Sequence, residues 1–170
     1  AGVAIADVNS VAGIVRAHAR AREIAGEVRA RQAREAREGP IGPPAPHPAP
    51  PGWGNTPHLI PAARLVLRDG LTLTALPEDR PGWARLCRLL TLGRRRAAKG
   101  GCDLGLADVL EGAAGLHLIL HPESAPGWQD QARQIKARLG GRLHLLLRPH
   151  YDGRDPARFD RLARVAARLG

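Results

Sequence analysis

Seven histidines, a run of three arginines and a scatter of carboxylates are the residues with chemistry to offer in this 170-residue chain. His18 falls in an apolar-periodic stretch near the N-terminus, and His47 and His58 belong to a proline-rich segment. His117 and His121 sit in or just after the apolar run LHLIL, and His144 and His150 stand in the same relation to GRLHLLL. In α/β folds, ligand-binding side chains gather at the carboxyl ends of strands. Asp7, His121 and His150 each close an apolar run and so form the candidate metal set. A second reading makes His117 and His144 half-buried strand residues and His121 and His150 loop residues. It has the spacing on its side, because none of these intervals is that of a closed three- or four-ligand site.

The other chemistry is thinner. PED, DQ and DGRD place acids at turns and helix starts, where they satisfy orphan amides. Ser10 and Ser124 have no triad context, and Cys87 and Cys102 have no CxxC spacing. Gly-rich phosphate loops, GxSxG and HExxH are absent. Arg94, Arg95 and Arg96, with Lys99 close behind, are candidates for DNA or interdomain contact. Cations at a helix C-terminus are favoured by ~0.3–1 kcal/mol each. No aromatic neighbour offers base stacking. A helix end facing another domain is therefore expected, and phosphate contact is the second reading.

Composition frames these residues. Lys and Arg number 26 against 16 Asp and Glu, giving a net charge of +10, yet Lys99 and Lys136 are the only lysines. With abundant Ala, Gly and Pro and no Met, the arginine bias resembles that of a high-GC genome, which weakens any argument from charge. No apolar run approaches the ~20 residues of a transmembrane helix. No charged-then-apolar leader opens the chain, and two cysteines make no disulfide framework. A cytoplasmic protein without a membrane partner is expected. Because AGVAIAD begins at once as an apolar run, the chain is expected to be a piece of something longer.

The elements follow from periodicity. Residues 2–6 read as a buried strand closed by Asp7. Asn9 or Ser10 then caps a helix carrying Val11, Ile14, Val15, His18, Ile24 and Val28, whose polar extension through EVRARQAREARE projects into water. Residues 39–58 are an exposed, proline-rich insertion of polyproline character. LIPAARLVL and LTLTAL, joined by RDG, form a hairpin. A helix then buries Trp83, Leu86, Cys87, Leu89 and Leu90. The arginine triplet follows it, and Gly100-Gly101 end any helix. A short helix, the strand LHLIL, a helix, the strand GRLHLLLRPH and a final helix complete the alternation. This is an α/β chain, with parallel strand pairs besides the hairpin.

IADVNSVAGIVRAHARARE, LIPAARLVLRDG and GWARLCRLLTLGRRRAAKGGCDLGLADVLE, in that order, resemble the N-terminal PHP domain of bacterial C-family DNA polymerases. The resemblance is greatest to the error-prone paralogue of the polymerase III alpha subunit. LCRLLTLGRRRAAKG is its most specific part, and RLHLLLRPHYDGRDPARFDRLARVAA extends it. The resemblance implies that residues 1–170 are one partial PHP-like domain. It would be an incomplete, distorted β/α barrel of PHP type, mostly parallel with one hairpin. In that family a His/Asp/Glu/Cys cluster at the strand ends can bind up to three metals and, in some members, supports exonuclease chemistry. Here the family's Asp-His pair falls on Asp7-Val8, its glutamate near Arg64 and a later histidine near Thr72. Val cannot ligate a metal and Arg repels one.

The implied function is a metal-depleted, non-catalytic module of an error-prone polymerase active in damage-tolerant DNA synthesis and repair. No cofactor is expected in this segment, although the parent polymerase would need Mg. Its partners would be the remaining polymerase domains, DNA through the parent protein, and a sliding clamp with damage-tolerance accessory proteins. The alternatives are a metal-dependent phosphoesterase or exonuclease built on Asp7, His121 and His150, and a basic nucleic-acid interaction module.

Overall fold

The computed structural model describes residues 2–39 and 58–170. Residues 40–57, which hold His47 and nearly all of the expected proline-rich insertion, lie outside the described residues.

Strand alternation sorts the side chains before any packing is considered. Strands β1 (Gly2–Val8) and β2 (His58–Val66) pair in parallel, and β3 (Thr72–Pro77) returns antiparallel to β2. Strand β4 (Leu116–Leu120) lies antiparallel to β3, and the short β5 (Leu143–Leu145) is parallel to β4. The sheet is open, in the order β1-β2-β3-β4-β5. Ala63, Leu65, Leu73, Ala75, Leu116, Leu118 and Leu120 share one face and are fully buried. The other face carries Arg64, Thr74, His117, Ile119 and His144, none of them fully buried.

Helices cover the first face. Helix α1 (Ala12–Glu38) crosses from β1 to β2, and α4 (Trp128–Leu139) crosses from β4 to β5. Both parallel pairs step the same way across the sheet, so right-handed crossovers put both helices on one side. Helices α2 (Arg80–Arg96), α3 (Leu106–Gly112) and α5 (Asp155–Leu169) complete the layer. Leu86 and Leu89 of α2, Val109 of α3, Ile135 of α4 and Leu162 of α5 join the leucines of the sheet in one core cluster.

Four of the five strands run the same way, as expected, but β3 pairs antiparallel with β4 as well as with its hairpin partner β2, which corrects the expectation of parallel pairs besides the hairpin. The reason lies in α2 and α3. Gly82 near the start of α2 packs on Gly115, while Leu104 beyond its end accepts a hydrogen bond of 2.9 Å from the amide of Arg68 in the hairpin. The chain thus runs the length of the sheet in α2 and comes back through α3. It re-enters the sheet at the end it left, and only an antiparallel β4 results.

The hairpin forms as the sequence predicts. Gly70 takes φ 90°, and the amide of Leu67 donates to the Leu71 carbonyl at 2.9 Å. Helix α1 runs 27 residues, about 40 Å at 1.5 Å per residue. Ile14 is its one fully buried residue among those described, so the expected projection of its polar half into water holds. Strand β1 continues to Val8, past the expected stop at residue 6. Strand β5 is shorter than GRLHLLLRPH. Its pairing ends where the Leu146 amide donates to Leu120, and Pro149 has no amide to extend it.

Candidate functional site

Three parallel strands, β2, β4 and β5, end on the same side of the sheet, and a cleft of about 440 Å³ opens there. Arg64 comes from the end of β2, Thr72 from the start of β3, His121 from just after β4, and Arg148 and His150 from the segment after β5. Two loops shape it. The His121 amide donates to the Thr72 carbonyl at 3.0 Å, and the Thr72 amide donates to Ser124 Oγ, also at 3.0 Å. Ser124 Oγ donates in turn to the His121 carbonyl at 2.8 Å. A serine four residues after the strand thus pins the β4 exit to the β3 entrance, where Glu123 adopts φ 63°.

Asp155 holds the second loop. Its carboxylate accepts from the amides of His150 at 2.9 Å and Tyr151 at 2.9 Å, and it pairs with Arg158. Arg158 also reaches Asp152 at 2.6 Å. Backbone amides are the leading reason that both aspartates titrate below the usual carboxylate range, that of His150 for Asp155 and that of Arg154, which donates to Asp152 Oδ1 at 3.0 Å, for Asp152. The remaining acid of the cleft, Glu123, pairs with Arg161 at 2.5 Å. Arg64 and Arg148 take part in no ion pair among the described residues.

His121 feels the consequence. Burial, and then the charges of Arg64 and Arg148, push its imidazole below the ordinary histidine value. The ring is therefore neutral at physiological pH, and its Nε2 lies 2.9 Å from Thr74 Oγ1. A histidine flanked by two guanidinium groups is a poor seat for a divalent cation, because both arginines repel the ion that the imidazole would attract. Among the described residues no group of three or more His, Cys, Asp and Glu side chains gathers in a metal-binding arrangement.

The sequence-derived candidates separate. His121 and His150 line the same cleft, and Asp7 does not. Asp7 alternates onto the helix-covered face, where its Oδ2 accepts from the Gly13 amide at 2.6 Å at the start of α1. Ser10, one of the two expected caps, accepts from the Ala12 amide at 3.1 Å. Asn9 serves the sheet instead. It takes φ 47°, its Oδ1 accepts from the Val66 amide at 2.9 Å, and its Nδ2 donates to the Val66 carbonyl at 3.3 Å. His117 and His144 meet on the open face, with Nδ1 and Nε2 3.2 Å apart and the rings stacked.

The arginine triplet lies inside the last turn of α2, not after the helix. Arg94 Nε donates to the Asn9 carbonyl at 3.1 Å, tying α2 to the turn after β1. Arg96 spans both oxygens of Asp108 at 2.8 Å, and Asp108 also accepts from the Gly105 amide at 2.8 Å at the start of α3. Arg95 and Lys99 are exposed and form no ion pair among the described residues. Trp83 and Cys87, expected on the inner face, are half-buried, and Gly82 and Gly93 take the buried positions. Burial pushes both Cys87 and Cys102 thiols up, away from thiolate chemistry.

Sequence reasoning did not count Arg64 and Arg148 as site residues. The available signal was Arg64 itself, the one charge inside the strand LIPAARLVL.

No family model matches the chain. Three curated relatives are named error-prone DNA polymerase. That of Ruegeria pomeroyi is 42% identical over 174 residues, covering 98% of this chain and 16% of the relative. Error-prone DNA polymerase 1 of Rhizobium meliloti is 40% identical over 178 residues, covering 100% of this chain and 13% of its own length. The Sinorhizobium medicae protein is 38% identical over 175 residues, with the same coverage of 100% and 13%. The chain thus spans about one sixth or less of the length of these relatives.

Proposed function

We propose that the chain is a metal-depleted, non-catalytic PHP-type module of an error-prone DNA polymerase, whose whole protein carries out damage-tolerant DNA synthesis in the cytoplasm. Its similarity to proteins of that name over nearly its whole length is the observation that carries this reading. The cleft supports the metal-depleted part. Of the positions that the family resemblance assigns to metal ligands, Arg64 and Thr72 line it and hold the wrong chemistry, while Asp7 lies on the opposite face. Val8 neighbours Arg64 in the β1–β2 register, and Arg64, Thr72 and His121 line one cleft. A valine, an arginine and a threonine stand where dication ligands would be needed.

The module's work is then mechanical. Its leucine core and helical layer present a rigid face to the remaining polymerase domains. DNA, a sliding clamp and damage-tolerance accessory proteins are engaged by the parent protein, whose polymerase centre uses Mg. A metal-dependent phosphoesterase is the second reading, favoured by the shared cleft of His121 and His150. One experiment separates them. The full polymerase carrying His121→Ala and His150→Ala is assayed for primer extension and for Mn- or Zn-stimulated exonuclease activity. Unchanged extension, with no exonuclease in either protein, is expected. Metal-stimulated hydrolysis that the substitutions abolish overturns the scaffold reading.

A further inference from the structure

The cleft has a positive chemistry as well as a missing one. Every acid at its rim is already engaged: Asp152 and Asp155 by Arg158, and Glu123 by Arg161. The hydroxyl protons are engaged too. Ser124 donates to the His121 carbonyl, and Thr72 Oγ1 donates to the Gly70 carbonyl at 3.2 Å. Two guanidinium groups are left, Arg64 and Arg148, brought from β2 and from beyond β5 to the same cavity with no ion pair among the described residues. Like charges converge in this way at a cost unless an anion offsets them.

We propose that Arg64 and Arg148 form a metal-independent phosphate-binding site at the carboxyl ends of β2 and β5, with His121 at its wall. The number of oxygens selects the ligand. One guanidinium fork occupies both oxygens of a carboxylate, whereas a phosphate group offers further oxygens to a second fork approaching from a different strand. The cleft volume of about 440 Å³ accommodates a phosphate with the sugar that carries it. The shared chemistry is the phosphate group, supplied either by a phosphodiester of a nucleic-acid strand or by a terminal phosphate. This assignment stands on the cleft alone and is independent of the polymerase reading.

The test follows the His121 ring resonances by NMR as the full chain is titrated with inorganic phosphate, with acetate as the carboxylate comparison. Parallel titrations use a short single-stranded oligonucleotide with and without a 5′-phosphate. A saturable shift at His121 with phosphate, weaker with acetate, is expected. Arg64→Ala combined with Arg148→Ala reduces the affinity about tenfold or more, and Arg95→Ala leaves it unchanged. Should the double alanine variant fail to fold, Arg64→Lys with Arg148→Lys keeps the charge and loses the forks, and is expected to bind more weakly than the parent. An oligonucleotide that needs its 5′-phosphate identifies the terminal group, and one that does not identifies the phosphodiester; either supports the site. The proposal is overturned if His121 shows no saturable shift with phosphate or either oligonucleotide. It is equally overturned if the folded double variant binds as well as the parent.

Discussion

Replacing Gly82 by alanine tests how α2 is seated. Gly82 is buried, its amide donates to Asp79 Oδ1 at 2.7 Å, and it faces the turn before β4. A Cβ built there overlaps the Gly115 carbonyl oxygen and lies 3.2 Å from the carbonyl carbon. Neither atom is the end of a flexible side chain, so the backbone must move. That same carbonyl accepts the Glu78 amide at 3.0 Å, and movement weakens this bond. Overpacking costs about 1–3 kcal/mol, and a lost backbone hydrogen bond about 1 kcal/mol more. Against these, alanine gains about 0.8–1 kcal/mol of helix propensity over glycine. The net expectation is a destabilisation of about 1–3 kcal/mol.

Gly26 supplies the control. It lies in α1 with nothing within 4 Å of its added Cβ, so Gly26→Ala should stabilise by about 0.5–1 kcal/mol. Urea unfolding followed by tryptophan fluorescence reads both variants, since Trp83 adjoins the first site and Trp128 is buried in the core. Opposite signs are expected from the same chemical change. If Gly82→Ala stabilises as Gly26→Ala does, α2 does not pack on Gly115, and the account of the antiparallel β4 fails with it.

Two further predictions come from single residues. Asp108→Asn should destabilise by about 1–2 kcal/mol in urea unfolding, because Asp108 serves both the Gly105 amide and Arg96. The Gly105 amide, then burial opposing it, then Arg96 leave the Asp108 carboxyl below its usual value, so its contribution is fully present above about pH 4 and disappears as pH falls through the lowered value. The variant should therefore converge with the parent in strongly acid solution, and a gap that persists there contradicts the assignment. Asn9→Ala should cost about 1–3 kcal/mol in the same assay, through two lost hydrogen bonds to Val66 and a strained φ of 47°. No loss would show that Asn9 does not extend the β1–β2 pairing.

Local pattern carried most of the fold. Alternation in LIPAARLVL and LTLTAL, together with Asp-Gly between them, defines the hairpin because strand period and turn geometry are both short-range. The helical stretch from Val11 to Glu38 is legible for the same reason. Strand direction was not. Whether β4 runs with or against β3 depends on where α3 returns the chain, and that depends on a Gly82–Gly115 contact invisible to periodicity. At the site, His121 and His150 were found because they close apolar runs at strand ends. Asp7 closes one too, but side-chain alternation turns it to the opposite face, where Gly13 claims it. Arg148 was missed because the strand was read through GRLHLLLRPH, whereas β5 ends at Leu145 and leaves Arg148 in the segment that lines the cleft. Arg94 and Arg96 show the reverse. Their run suggests a helix end facing another domain, with phosphate contact as the second reading, while the partners they take, Asn9 and Asp108, lie elsewhere in this chain.

Metal content of the purified full-length polymerase, measured by mass spectrometry after equilibration with Mn and Zn, bears most directly on the cleft as scaffold. The arginine-flanked His121 predicts that the His121→Ala, His150→Ala variant retains as much metal as the parent. Two or more ions per chain in the parent, lost on that substitution, would contradict it.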